Sequence, residues 1–187
     1  MTHIISPAEA LLIPRRYARR GPRVSGYFTV TCFDKEGRFR WRDRSRNLIV
    51  NTGLTYLEGV ALLTTTQIAL SSWFVGITNT APTVAAADTM ASHGGWVENQ
   101  NYSQGTRPAW SGVAGAAGVA TNSASPAVFG ANATSTAGGC FLTSNSTKGG
   151  TTGTLFSAVA FTGGDRSLLN GDTLNVTYNH SVIDDGV

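Results

Sequence analysis

Asp88, Ser92 and His93 fall close together and supply the types of an orienting carboxylate, a nucleophile and a base, the set that acyl transfer to a hydroxyl requires. No G-x-S-x-G turn surrounds Ser92, and Ser and Thr abound throughout the chain. The trio reads better as a polar loop in which Asp88 caps a short helix across 84–92. Glu58 and Glu98 are the only glutamates after residue 47. Two carboxylates can cleave a glycosidic bond only if folding brings them together, and Glu58 is expected to face solvent on a helix. His3, His93 and His180 are scattered, with no H-x-x-x-H or C-x-x-C spacing, and Asp184-Asp185 would attract calcium only weakly, so no metal or other cofactor is expected. Cys32 and Cys140 each lie in an apolar run (TVTCF and GGCFL) and are expected to be buried free thiols. These residue types point away from an enzyme.

The stronger chemical signal is arginine. In GRFRWRDRSRN, Arg38, Arg40, Arg42, Arg44 and Arg46 occupy every second position, with Phe39 and Trp41 in the first gaps. A strand sends alternate side chains to opposite faces, so this run predicts a basic ladder on one face and Phe39 and Trp41 in the core. Upstream, PRRYARRGPR carries Arg15, Arg16, Arg19, Arg20 and Arg23 with Tyr17, two prolines and no acid. A segment of that composition is expected to be an extended, mobile arm when free. Arginine binds carboxylate or phosphate through a planar fork and keeps its charge when desolvated.

The charge is divided along the chain. Residues 1–47 hold 11 of the 14 basic and 4 of the 11 acidic residues, a net of +7, and residues 48–187 are net −4. A nucleic-acid module usually carries its charge and aromatics on the folded sheet, whereas here the folded body is acidic. Docking of the arginines on protein is therefore favoured over nucleic acid, and basic-end-to-acidic-body self-association is open to the chain. The bland alternative for the ladder is a solvated strand face, where each exposed ion pair contributes only about 0–1 kcal/mol. The arm is the sharper candidate, and the ladder a secondary basic face.

The elements that must position these arginines are strands. Charged residues make up only 13% of the chain and apolar ones 41%; Gly, Ala, Ser, Thr and Asn fill the difference and disfavour helix. A capping box at Ser6-Pro7-Ala8-Glu9 starts a helix that Pro14 stops, so Leu11, Leu12 and Ile13 need a neighbour to pack on. Residues 26–33 and 38 onward form a hairpin about the turn Asp34-Lys35-Glu36-Gly37. One short helix follows through about residue 63, with Leu54, Leu57 and Ala61 at helical spacing. Strands are predicted over 73–78, 96–98, 106–110, 139–143, 155–161 and 173–181, with turns at 162–165 and 170–172. The run 111–125 reads as a flexible loop or a close-packed surface of small residues. No apolar run reaches the ~18–20 residues of a membrane span, and the start lacks the pattern of a signal peptide. The expected organisation is an all-β sandwich over 26–187 with a basic arm over 1–25.

Several segments in order carry a resemblance: GYFTVTCFDKEGRFRWRDRSRN running into NLIVNTGLTYLEGV, then WFVGIT, ADTMASHGGWVE, YSQGTRPAW and GTLFSAVAFTGGDRSLLNGDTLNVTYNHS. Together, over residues 26–181, they resemble small virion proteins of tailed bacteriophages, most closely the capsid cement or decoration proteins of podophages. The resemblance implies a jelly-roll-like sandwich on the exterior of an icosahedral shell, assembled in the host cytoplasm. Such a protein binds the major capsid protein, bridges capsomers, often as a dimer, and stabilises the head against packaged DNA. The alternative is a trimeric tail or fibre-associated protein, whose 111–125 run and Trp96 and Trp110 would line a host-surface site.

Overall fold

The structure is a computed structural model that describes residues 23–183. Most of the arm, with Arg15, Arg16, Tyr17, Arg19 and Arg20, and the helix expected over 6–13 lie outside the described residues, as do His3 and Asp184-Asp185.

The chain opens on the expected hairpin, β1 (Arg23–Phe33) and β2 (Phe39–Arg46). Asp34 makes its turn: its carbonyl accepts from Gly37 N at 2.9 Å, and its carboxylate accepts from Glu36 N at 3.0 Å and Arg38 N at 2.8 Å. Gly37 has φ +78°, a conformation that costs glycine nothing. β3 (Leu48–Ile49) leads into α1 (Asn51–Leu62), and a 3-10 turn (Leu70–Ser72) into β4 (Phe74–Thr78). A long connection precedes the β5 (Val113–Ala114) and β6 (Val119–Thr121) hairpin, β7 (Ala127–Gly130) and β8 (Ser135–Ala137). The remaining strands are β9 (Gly139–Thr143), β10 (Leu155–Ala160), β11 (Arg166–Leu168) and β12 (Thr173–Ile183).

The fold is the expected all-β sandwich, built from antiparallel sheets. One sheet runs β2-β1-β12-β6-β5 with β7 also on β12, the second runs β3-β10-β9-β4, and β8 and β11 form a small pair. Phe28, Val30, Val176 and Tyr178 of the first sheet meet Val75, Ile77, Cys140 and Leu142 of the second. The far face of the second sheet is covered too: Phe141, Leu155 and Ala158 pack against Met90 and Trp96. All five residues of β9 are therefore buried. Gly76 is required beneath Phe141, because a Cβ there would overlap the ring. Gly53 lets α1 lie directly on the Phe156 carbonyl of β10.

β12 is paired by β1 along its whole length and on its other side by β7 at 173–176 and β6 at 179–181. The gap between β7 and β6 is closed by a side chain. Buried Asn122 accepts from Tyr178 N at 2.7 Å and donates to Val176 O at 3.2 Å, so its carboxamide does the work of a strand's backbone.

Four local expectations are corrected. Residues 96–98 and 106–110 are not strands but single bridges, Thr78 to Glu98 and Phe74 to Ala109. The 84–92 stretch forms turns without a helix; Asp88 Oδ2 accepts from Ala85 N at 3.0 Å instead of capping one. The small-residue run 111–125 contains the β5–β6 hairpin, which turns at Ala117 and Gly118, both at positive φ. β1 starts at Arg23, so residues 23–25 belong to the sheet and not to an arm.

Candidate interaction surface

The β1–β2 register decides what each arginine of the ladder does. It shifts between Cys32 and Phe33, so that Cys32 opposes Trp41 but Phe33 opposes Phe39. The extra residue is Arg40, and a bulge of this kind breaks the alternation. Past it, Trp41, Asp43 and Ser45 turn inward while Arg42, Arg44 and Arg46 are exposed. Before it, Phe39 points out and is 63% exposed, against the expectation that it joins the core. Trp41 is half-buried and packs on Phe161, with ring centroids 6.1 Å apart.

The five-residue ladder is thus three arginines on one face and two engaged elsewhere. Arg38 closes on its own hairpin turn, 2.7 Å from Asp34 and 3.0 Å from Glu36. Arg40 pairs with buried Asp172, whose carboxylate also accepts from Leu169 N at 2.8 Å and fixes the turn into β12. Among the described residues, Arg42, Arg44 and Arg46 take part in no ion pair. The Arg44 guanidinium lies 3.9 Å from the centroid of the Tyr27 ring, a cation–π contact that holds the head near the sheet. The neighbours across the face are Thr31, Thr29 and Tyr27 on β1 and Asn175, Thr177 and Asn179 on β12. Arg23 is exposed and shares this face by strand alternation. The arrangement is a flat polar sheet face, basic along its β2 edge, from whose corner the 1–22 segment departs. Charge on an edge strand also guards it against pairing with other chains, and that role needs no partner.

The buried charges are internal struts. Arg107, 1% exposed, meets Glu98 with two parallel bonds of 2.8 Å, Nε to Oε1 and Nη2 to Oε2. Its remaining donors reach the carbonyls of Asn145 at 2.8 Å and Gly150 at 3.0 Å, and Glu98 accepts from Gly149 N at 2.6 Å. The pair tethers the 145–150 loop, with four hydrogen bonds from Arg107 offsetting the cost of burying its charge. Glu98 is thereby committed, while Glu58 is exposed on α1. Asp43, also buried, accepts from Thr162 N at 3.1 Å and Gly163 N at 2.8 Å and holds the turn after β10. Nothing in the sequence linked Glu98 to Arg107 or Asp43 to 162–163; the pairings appear only in space.

The other candidates disperse. Asp88 accepts from Trp96 Nε1 at 3.4 Å, and His93 stacks on Trp96 with centroids 3.9 Å apart and Nδ1 3.2 Å from the Trp96 carbonyl oxygen. The Asp–His hydrogen bond that a triad uses is replaced by these contacts. Trp96 and Trp110 are buried and offer no aromatic platform at the surface. Cys32 and Cys140 are buried free thiols. Burial pushes the Cys32 thiol up to about 12, with the charge of Asp172 adding to it, and burial also raises Cys140 well above its ordinary value. No group of three or more metal-ligating side chains occurs among the described residues.

Sequence reasoning missed one feature altogether. Between α1 and the β5–β6 hairpin the two sheets part and leave an open cavity of about 510 Å³. Tyr56 and Leu57 wall it on one side and Val113 on the other; Trp73, Phe156 and His180 are among its floor. The helical spacing of α1 was legible, but it implied a face packed on the core, and the only residues that α1 fully buries are Gly53 and Gly59.

Searches with the chain found no matching family model, no matching curated protein and no matching solved structure.

Proposed function

We propose that this chain is a non-enzymatic virion structural protein, a capsid cement or decoration protein of a tailed bacteriophage. In this reading it sits on the outside of the shell, binds the major capsid protein and bridges neighbouring capsomers, most simply as a dimer. The observation that carries the reading is the basic face. Arg42, Arg44 and Arg46 are exposed and without acidic partners among the described residues, and Arg23 on the same face leads into the arginine-rich 1–22 segment. The ordered motifs that resemble podophage cement proteins supply the setting, and the jelly-roll-like topology and capsid location come from that resemblance.

The physical logic is avidity. Each exposed arginine pair is weak alone, but a copy held by two attachments, arm and sheet face, gains effective concentration from the first for the second. Binding a segment that orders on its partner covers a wide surface for a small folded body. Arginine suits both contacts because its fork engages carboxylates bidentately.

The experiment is to replace Arg15, Arg16, Arg19, Arg20 and Arg23 together with alanine and measure occupancy on purified heads. The variant is expected to keep its folded circular dichroism spectrum and melting transition and to lose head binding. Normal occupancy would overturn the assignment of the arm as the clamp.

A further inference from the structure

We propose that the apolar groove between α1 and the β5–β6 hairpin is the seat of the chain's own Leu11-Leu12-Ile13 segment. The groove has the volume of a ligand site, about 510 Å³, within the ~300–1,000 Å³ of formed pockets. Two large apolar side chains of its wall stand exposed: Leu70 is 55% and Val113 56% exposed. An apolar segment laid there would remove them from water.

Three observations select the occupant. The first is where the chain leaves the sheet. Gly26 opposes His180, a floor residue of the groove, and Val24 opposes Val182 one step further along the same face. Val24 and Val182 are both exposed. The root of the N-terminal segment therefore continues the groove's floor. The second is reach. Nine residues, 14–22, separate Ile13 from Arg23, and extended they span up to ~30 Å, enough to return to this groove or enter that of a neighbouring copy. The third is chemistry. Leu11, Leu12 and Ile13 are the longest run of large apolar side chains in residues 1–22 and lie nearer the root than the pair Ile4-Ile5, and aliphatic side chains match the groove's lining.

One polar group fits as well. His180 Nε2 is buried and has no hydrogen-bond partner among the described residues, which is costly for an imidazole nitrogen. A backbone amide of the incoming segment would satisfy it, as peptide groups do when a chain lies along an apolar channel with few polar anchors. This inference does not depend on the capsid reading, because it concerns only copies of this chain.

The test is hydrogen–deuterium exchange on the full chain by itself. Amides of residues 8–13 are expected to be protected in the wild type. In a Leu11→Asp, Leu12→Asp, Ile13→Asp variant, the groove amides over 55–63 and 113–121 should exchange at least about tenfold faster, with β1 and β12 unchanged as the control for folding. Ala114→Trp, which fills the groove from its rim, should release residues 8–13 with the same control. Protection of 8–13 that survives dilution supports docking within one chain, and protection lost on dilution supports docking into a second copy. Residues 8–13 exchanging at the unprotected rate in the wild type would overturn the proposal. So would groove protection that depends on concentration but is indifferent to the triple aspartate variant, since the occupant would then be the folded body of another copy.

Discussion

At the scale of single residues, the molecule relies on side chains that complete a backbone. Asn122 fills the break between β6 and β7 with one acceptor and one donor. Asn122→Ala leaves the buried Tyr178 N–H without that acceptor and Val176 O without that donor, a loss of about 2 kcal/mol or more. Asn122→Asp keeps the acceptor but not the donor and should be no better tolerated. Urea denaturation midpoints of the two variants check this; a change below ~0.5 kcal/mol, the range of an ordinary surface substitution, would show that the gap needs no filling. His180 makes a second residue-scale prediction. Burial lowers its pKa from the ordinary 6.5, so the unfolded chain binds this proton more readily than the folded one. The stabilisation from keeping His180 neutral is fully present above about pH 6.5 and is lost as pH falls below it, levelling off once the folded imidazole also protonates. The stability difference between wild type and His180→Gln should therefore shift against the wild type between about pH 7 and about pH 5. A difference that stays constant across that window contradicts the account.

Residue-level legibility in the sequence was uneven for a physical reason. The arginine alternation was plain, yet its consequence depended on a bulge, and one inserted residue sends every earlier side chain to the other face. Phe39 is exposed and Arg40 is drawn to Asp172 because of that single shift. The Glu98–Arg107 pair spans nine residues with no local pattern to announce it, and its loop partners lie about forty residues further on. Buried polar networks are set by tertiary meeting points, which composition does not encode.

At the scale of elements, what could be read were the ones that advertise themselves locally. The β1–β2 hairpin has a turn whose aspartate bonds its own backbone, and β9, β10 and β12 are apolar or β-branched runs bounded by turn residues. β5 to β8 were hidden because Gly, Ala, Ser and Thr make both loops and close-packed edge strands, and these strands are only two to four residues long. The second sheet yields a further prediction. Gly76 on β4 opposes Phe141 on β9, and there is no room for a methyl group beneath that ring. Gly76→Ala should destabilise by ~1–3 kcal/mol through overpacking. Adding Phe141→Leu should recover part of the loss, a coupling that thermal melts of the double-mutant cycle would reveal. Strictly additive effects would mean that the two positions do not compete for the same space.

At the scale of the whole molecule, a sandwich whose β2 edge is basic continues into a basic N-terminal segment. Residues 23–183 hold 10 basic and 8 acidic residues, a net of +2, so the folded body is not acidic as its sequence after residue 47 implied. β9 is buried on both faces, and Arg107, Glu98 and Asp43 are bonded to turns and loops. What remains for other molecules is a sheet face with Arg42, Arg44 and Arg46, an apolar groove beside α1, and the 1–22 segment rooted next to both. The proposed cement role uses the first and third to hold a shell; the groove gives the apolar part of the segment somewhere to go. The division of charge at residue 47 cuts through the sandwich, because β1 and β2 belong to its main sheet, and the groove was invisible because it is made by two sheets parting.

The measurement that tests the central proposal most directly is an image reconstruction of phage particles assembled in cells that express this chain. The cement reading predicts sandwich-shaped density on the outer surface of the head shell, repeated in hundreds of copies as lattice decoration requires, with β2 toward the capsid protein. Density confined to the tail or its fibres at a dozen or so copies, or no density for this chain in the particle, would contradict it.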